Sequence, residues 1–135
     1  EETLDFGEVG VHGAGELAIV SYGNGFYLAC QAAKVLEERH GLPVKLVDLR
    51  WIAPLPEAAL LRETAACSRV LIVDECRRTG SLSEALVTLF VERADPVPRL
   101  RRVTAEDCFI PLAEAANLVL PGRDAIIAAA LELAR

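Results

Sequence analysis

Apolar positions along this chain come in two patterns, short continuous runs and longer stretches at helical spacing, and their succession predicts alternating strands and helices. The clearest run is Val70-Leu71-Ile72-Val73, mostly β-branched and unbroken, as expected of a strand buried on both faces in a parallel sheet. It stops at Asp74-Glu75. Ser81-x-x-Glu84 then forms a capping box ahead of Leu82, Leu86, Leu89 and Phe90, which predicts a helix ending near Arg93. Before this unit, Phe6–His12 reads as a weak, Gly-rich edge strand and Leu17–Tyr22 as a second strand. Gly23-Asn24-Gly25 turns the chain into a helix with Ala29, Ala32, Ala33 and Leu36 on one face, stopped by Gly41. Val44–Leu49 is a third strand, and Pro56 leads a helix through about Ala66. After the central unit, Leu100–Thr104 makes a fifth strand whose arginines suit an edge. A short helical piece follows from Leu112 to Leu118. Pro121-Gly122 then precedes a last helix with Ile126, Ile127, Ala130 and Leu131 facing inward. This spacing predicts a parallel or mostly parallel sheet with helices on both faces.

Composition narrows the function classes. The 135 residues are 53% hydrophobic, enough for one domain with its own core. A net charge of −6 leaves no basic stripe for phosphates, so no nucleic-acid role is expected; Arg99, Arg101 and Arg102 read as a solvated edge. No apolar run approaches the ~18 residues that cross a bilayer, and no membrane role or signal peptide is expected. The chain begins at Glu1 and has no methionine, which points to a fragment or processed product of a longer chain. Its four cysteines show no metal-ligand spacing, so reduced thiols and a cytoplasmic location follow: Cys30 and Cys67 buried, Cys76 and Cys108 in accessible turns. His12 reads as a surface histidine.

Candidate chemistry concentrates where strands end. Asp74 and Glu75 are neighbours on one strand, so their side chains point to opposite faces and make a poor acid–base pair. Either could pair with Arg50 or Arg78. Gly80-Ser81 opens a helix whose free N–H groups could hold an anion, although the simpler reading is that Ser81 caps its own helix. Gly23-x-Gly25, with Asp48 ending the next strand, imitates a dinucleotide fingerprint. The third glycine should fall at 28, where Leu28 stands, and Phe26 and Tyr27 crowd the phosphate approach. No nucleophile elbow or Ser-His-Asp set is present, and neither a catalytic nor a metal site is expected.

Four stretches in order resemble one family: Ser21-Tyr22-Gly23, then Asp48-Leu49-Arg50 with Pro54-Leu55, then Asp74-Glu75 with Thr79-Gly80, then Arg102-Val103-Thr104 followed by Pro111. They are similar to the transketolase C-terminal domain, in the version that ends the beta subunit of the thiamine-dependent, decarboxylating 2-oxo acid dehydrogenases. The likeness runs from about Leu17 to Leu133. It implies a three-layer α/β/α fold with a five-stranded mixed sheet in the order 1-3-2-4-5, the first strand antiparallel. It also implies that residues 1–135 are a single such domain, holding no cofactor itself, while thiamine diphosphate and Mg serve the parent enzyme elsewhere. The implied partners are other subunits or domains of the parent, itself a homo-oligomer, and the acyltransferase core of the complex. Trp51 and Ser81 depart from the family pattern, where Thr or Ser and a second glycine are usual. Trp51 reads as an interface anchor.

Two readings compete. In the first, the chain is a non-catalytic assembly domain of a 2-oxo acid dehydrogenase, an oxidoreductase that decarboxylates its substrate and passes the acyl group to lipoyl groups. In the second, it is a free-standing α/β module that binds an anion or nucleotide in the strand-end crevice. Both use the same candidate surface: Tyr22, Gly23 and Asn24; Asp48, Arg50 and Trp51; Asp74, Glu75, Arg78, Thr79, Gly80 and Ser81.

Overall fold

A computed structural model describes residues 3–135. Five strands, β1 (Gly10–Gly13), β2 (Leu17–Ser21), β3 (Val44–Asp48), β4 (Arg69–Arg77) and β5 (Arg99–Ala105), form one sheet in the order β1-β3-β2-β4-β5. β1 runs antiparallel to β3, and the other pairs are parallel. The helices are α1 (Gly23–His40), α2 (Glu57–Thr64), α3 (Leu82–Arg93) and α4 (Arg123–Ala134), with a 3₁₀ turn at Ala113–Leu118.

Period-two alternation along the strands divides the core into two layers. Ala18, Val20, Val47, Val70 and Ile72 face Leu60 of α2 and Leu86, Leu89 and Phe90 of α3. Leu17, Ile19, Val44, Leu46, Leu71 and Val73 face Ala29, Ala32 and Leu36 of α1 and Ile126, Ala130 and Leu133 of α4. The crossover rule explains this division. From β2 the chain moves to β3 by way of α1, then reverses across the sheet through α2 to β4. Right-handed crossovers in opposite directions must place their helices on opposite faces. The reversal puts a topological switch point between the carboxyl ends of β2 and β4, where crevices form in open α/β sheets.

Local signals account for most boundaries. Gly41 adopts a left-handed conformation (φ 61°) and ends α1, with its own N–H on the Glu37 carbonyl at 3.1 Å and the Leu42 N–H returning to the Leu36 carbonyl at 3.0 Å. Four expected features differ. The first strand starts at Gly10, because Phe6-Gly7 turns and Gly13 pairs with Lys45. Tyr22 lies outside β2 as the residue preceding α1. In α4 the inward positions are Ile126, Ala129, Ala130 and Leu133, while Ile127 and Leu131 are only half-buried, as is Cys30 in α1. The fourth difference is the largest: β4 runs through the expected turn to Arg77, with its register to β5 slipping between Asp74 and Arg77. Asp74 precedes the slip, in register with Thr104, and alternation from Val70 and Ile72 turns it inward towards α3.

Candidate functional site

Asp74 is fully buried at the switch point and organises it. Its Oδ1 accepts from the Tyr22 hydroxyl at 2.7 Å and the Cys76 N–H at 2.9 Å, and its Oδ2 accepts from the Ser83 N–H at 2.8 Å. A carboxylate from the sheet therefore caps α3 and ties it to the end of β2. Burial pushes the Asp74 pKa up, but these hydrogen bonds outweigh it and the net shift is downward. Tyr22 is pushed well above the usual phenol range, first by burial and then by donating to Asp74.

The Ser81 hydroxyl makes no cap hydrogen bond; it meets the Ser83 hydroxyl at 2.8 Å. Glu84 reaches back, as a capping box requires, but accepts from the Gly80 N–H at 3.0 Å. The expected self-cap by Ser81 is thus replaced by Asp74, which only tertiary folding brings near. Nor does Asp74 or Glu75 pair with Arg50 or Arg78. Arg50 Nε lies 2.6 Å from Asp48 Oδ2, and Arg50 sits at φ 57° in a tight turn closed by the Trp51 N–H on the Leu49 carbonyl. The Arg78 carbonyl accepts from Arg102, whose same nitrogen also donates to Ser83 Oγ at 3.1 Å.

Glu75 points to the opposite face from Asp74, towards the start of α1, where a methyl built on Gly23 would come within 2.9 Å of its Oε1. Gly25 is packed against the sheet: a methyl there would lie 2.6 Å from Ser21 Oγ, which donates to the Val73 carbonyl at 2.9 Å. Gly25 therefore serves close helix–sheet packing, while the exposed Gly23 supplies the left-handed turn (φ 55°) at the start of α1. Gly25→Ala is expected to destabilise the chain by about 1–3 kcal/mol through overpacking. Chemical denaturation would check this, and an unchanged midpoint would refute it. The same geometry tests the site for a diphosphate cofactor. Two helix starts face the crevice, and each has a carboxylate against it, Glu75 at α1 and Asp74 at α3. These residues do not fit a diphosphate. Among the described residues, no group of three or more His, Cys, Asp or Glu side chains is placed to hold a metal ion. No described helix is long and apolar enough to cross a membrane.

The segment after β5 completes the surface. Asp107 clasps the β4–α3 loop: Oδ1 accepts from the Thr79 N–H at 2.8 Å and Oδ2 from the Thr79 hydroxyl at 2.7 Å. Arg77 Nε donates to the Thr79 carbonyl at 2.9 Å. The clasp presents Phe109, Ile110 and Leu112 outward, with Phe109 99% and Leu112 90% exposed, and Leu118 is similarly bare. Of these, Phe109 and Ile110 border an open cleft of about 550 Å³ together with Tyr22, Ile52, Cys76 and Leu82. So many large apolar side chains at one end of a sheet exceed the scattered exposure normal for a soluble surface. Trp51, expected as the anchor, is half-buried with the Phe6 ring tilted 52° against it at 4.2 Å between ring centroids, leaving Ile52 as the exposed neighbour. Of the sequence candidates, Tyr22, Asp74 and Ser81 meet at one point, Asp48 and Arg50 form a separate pair, and Gly23, Asn24, Arg78, Thr79 and Gly80 lie exposed on the rim. Phe109, Ile110, Leu112 and Leu118 are missing from that set. Their signal was the apolar run around Pro111 in an otherwise turn-rich stretch.

Comparison with known proteins matches residues 8–126 to the family model described as "Transketolase, C-terminal domain". The chain is 30% identical over 135 residues to the pyruvate dehydrogenase E1 component subunit beta of Staphylococcus aureus (strain Mu50), covering 98% of this chain and 41% of that one. It is 34% identical over 105 residues to 1-deoxy-D-xylulose-5-phosphate synthase of Nitratidesulfovibrio vulgaris (strain DP4), covering 77% of this chain and 16% of that protein. Among solved structures, a split-gene transketolase, described as an inactive beta4 tetramer, superposes with a TM-score of 0.80 at 27% identity, covering 98% of this chain and 45% of that one. The 2-oxoglutarate:ferredoxin oxidoreductase of Magnetococcus marinus shares the fold, with a TM-score of 0.67 at 18% identity over 95% of this chain and 20% of that one. The chain thus spans less than half the length of these relatives.

Proposed function

This chain belongs to the transketolase C-terminal domain family, and from that premise we propose that it is the C-terminal assembly domain of a longer, thiamine diphosphate-dependent 2-oxo acid dehydrogenase. Its parent would oxidatively decarboxylate a 2-oxo acid and pass the acyl group to lipoyl groups, in the cytoplasm, as a homo-oligomer docked on an acyltransferase core. The single observation that carries the reading is the bare apolar end of the sheet, where Ile52, Phe109 and Ile110 border one cleft, with Leu112 exposed in the same segment. A surface of this kind calls for another protein surface. The likeness to a pyruvate dehydrogenase beta subunit supports the parent's class.

Thiamine diphosphate and Mg have no step in this domain, because the carboxylates at its helix starts disfavour a diphosphate. Its own residues position and connect. Asp74 fixes α3 to β2, and the Thr79–Asp107 clasp holds the apolar segment against the β4–α3 loop.

The test is to express the full protein encoded at this locus and follow release of labelled CO₂ from pyruvate and from branched-chain 2-oxo acids. The expected result is release that requires added thiamine diphosphate and Mg. A coding region without a thiamine-type domain upstream of Glu1, or no turnover of any 2-oxo acid tried, would overturn the reading. The free-standing nucleotide-binding module would then have to account for the crevice.

A further inference from the structure

The run that follows β5 has no burial of its own to hold it in place. From Glu106 to Leu112 every side chain is exposed except the half-buried Pro111, and this run carries Phe109 and Ile110. The Cys108 N–H turns back on the Glu106 carbonyl at 2.9 Å, and the Glu106 N–H reaches the Val119 carbonyl at 3.0 Å. Both bonds stay within the stretch between β5 and α4, so neither fixes the run against the rest of the fold. Among the described residues, Asp107 alone reaches across, through its two bonds to Thr79 in the β4–α3 loop, 28 residues earlier in the chain. Those bonds prolong the sheet. The last pair of the β4–β5 ladder is Arg77 with Ala105, and Thr79 and Asp107 each stand two residues beyond it. Arg77 Nε steadies the loop side by donating to the Thr79 carbonyl. The Thr79 hydroxyl and N–H hold the Asp107 carboxyl below the usual carboxylate range, so both bonds are made to a charged acceptor.

Granted the assembly role proposed above, on which this rests, we infer that Asp107 and Thr79 are its positioning residues: they order Phe109 and Ile110 in advance, so that the docking subunit meets a formed surface. What the clasp secures decides between this role and a role in the fold. A tie that served the fold would secure buried side chains, whereas this one secures bare ones, with Phe109 99% exposed. Its effect therefore belongs to the step that covers them. Ordering a run of exposed residues before association removes that loss of conformational freedom from the binding step, and affinity rises without any new contact to the partner.

The test follows association of the full protein by sedimentation over a dilution series. In the 135-residue chain it follows the melting temperature and the NMR order parameters of the Cys108, Phe109 and Ile110 amides. Asp107→Ala removes both bonds and is expected to weaken association roughly tenfold and to lower the order of those three amides. The melting temperature should move by no more than about 3 °C, as for an ordinary surface substitution. Thr79→Val keeps the N–H bond alone and should fall between Asp107→Ala and the unmodified protein. Thr79→Ser keeps both bonds and should match the unmodified protein. Phe109→Asp, measured alongside, keeps two failures apart. If it weakens association and Asp107→Ala does not, the positioning role falls and the assembly reading stands; if neither weakens it, the reading falls and the positioning role with it. Weaker association with the three amides as ordered as before would make Asp107 a contact residue, and a larger fall in melting temperature would make the clasp part of the fold. Either result would overturn the proposal.

Discussion

Asp74→Ala is expected to lower the unfolding free energy of this chain by about 3–4 kcal/mol, combining the loss of a helix cap with buried donors left unpaired. The substitution strips the Ser83 and Cys76 N–H groups and the Tyr22 hydroxyl of their common acceptor at the switch point. For a chain of this length the melting temperature should drop by about 10 °C. Ser81→Ala is the informative partner. The Ser81 hydroxyl makes no bond to the α3 backbone and meets the Ser83 hydroxyl, which keeps Arg102 as a donor, so its removal should cost no more than about 1 kcal/mol. If the two variants were equally destabilised, Asp74 would not be the cap that holds this end of α3.

The same carboxylate gives stability a pH dependence whose sign follows from its downward shift. Asp74 holds its charge in the folded state at acidities where the unfolded chain binds the proton. Its contribution is therefore complete above the ordinary carboxylate range and is lost as the pH falls through its lowered folded value. Tyr22 works at the other end of the scale. Its raised pKa means that its contribution is complete below about pH 10, the ordinary phenol value, and declines as the pH climbs above it. Denaturation midpoints between neutral and acid pH should fall for the parent chain and flatten for Asp74→Asn. Parallel slopes in the two proteins would assign the acid dependence to other groups.

These residues also show what the sequence could reveal. The two core layers were legible because Leu17–Ser21, Val44–Asp48 and Val70–Val73 are apolar runs whose period fits strands, separated by amphipathic stretches. The capping box at Ser81 was legible as a pattern and still misassigned its bond. Asp74 is nine residues away from Ser83 in sequence, and no local rule can rank a distant carboxylate above an adjacent hydroxyl. The extension of β4 was hidden for a similar reason. Asp74–Arg77 is polar, and polar residues continue a strand only when its neighbour, here β5, supplies the pairing. The segment around Phe109 was hidden differently. Periodicity marks apolar residues but cannot say whether a loop buries them or presents them.

That segment yields the second large effect. In the full protein, Phe109→Asp is expected to weaken subunit or domain association by at least about 30-fold, the factor that matches the 2 kcal/mol typical of a central anchor. Sedimentation velocity over a dilution series would read it. Phe109 is 99% exposed in the chain described here, so the same substitution should leave the melting temperature of the 135-residue chain nearly unchanged. The contrast between the two preparations separates docking from folding, because a residue that matters only when covered cannot contribute to the stability of a chain in which it is bare. Arg50→Glu supplies a second contrast. Arg50 faces Asp48 at 2.6 Å, so charge reversal would set two carboxylates together and act first on the strand-end turn. If Phe109→Asp left association intact while Arg50→Glu abolished it, the docking surface would centre on the Asp48–Arg50 corner. If neither changed association, the apolar end of the sheet would need an occupant other than a subunit, and the assembly role would lose the observation that carries it.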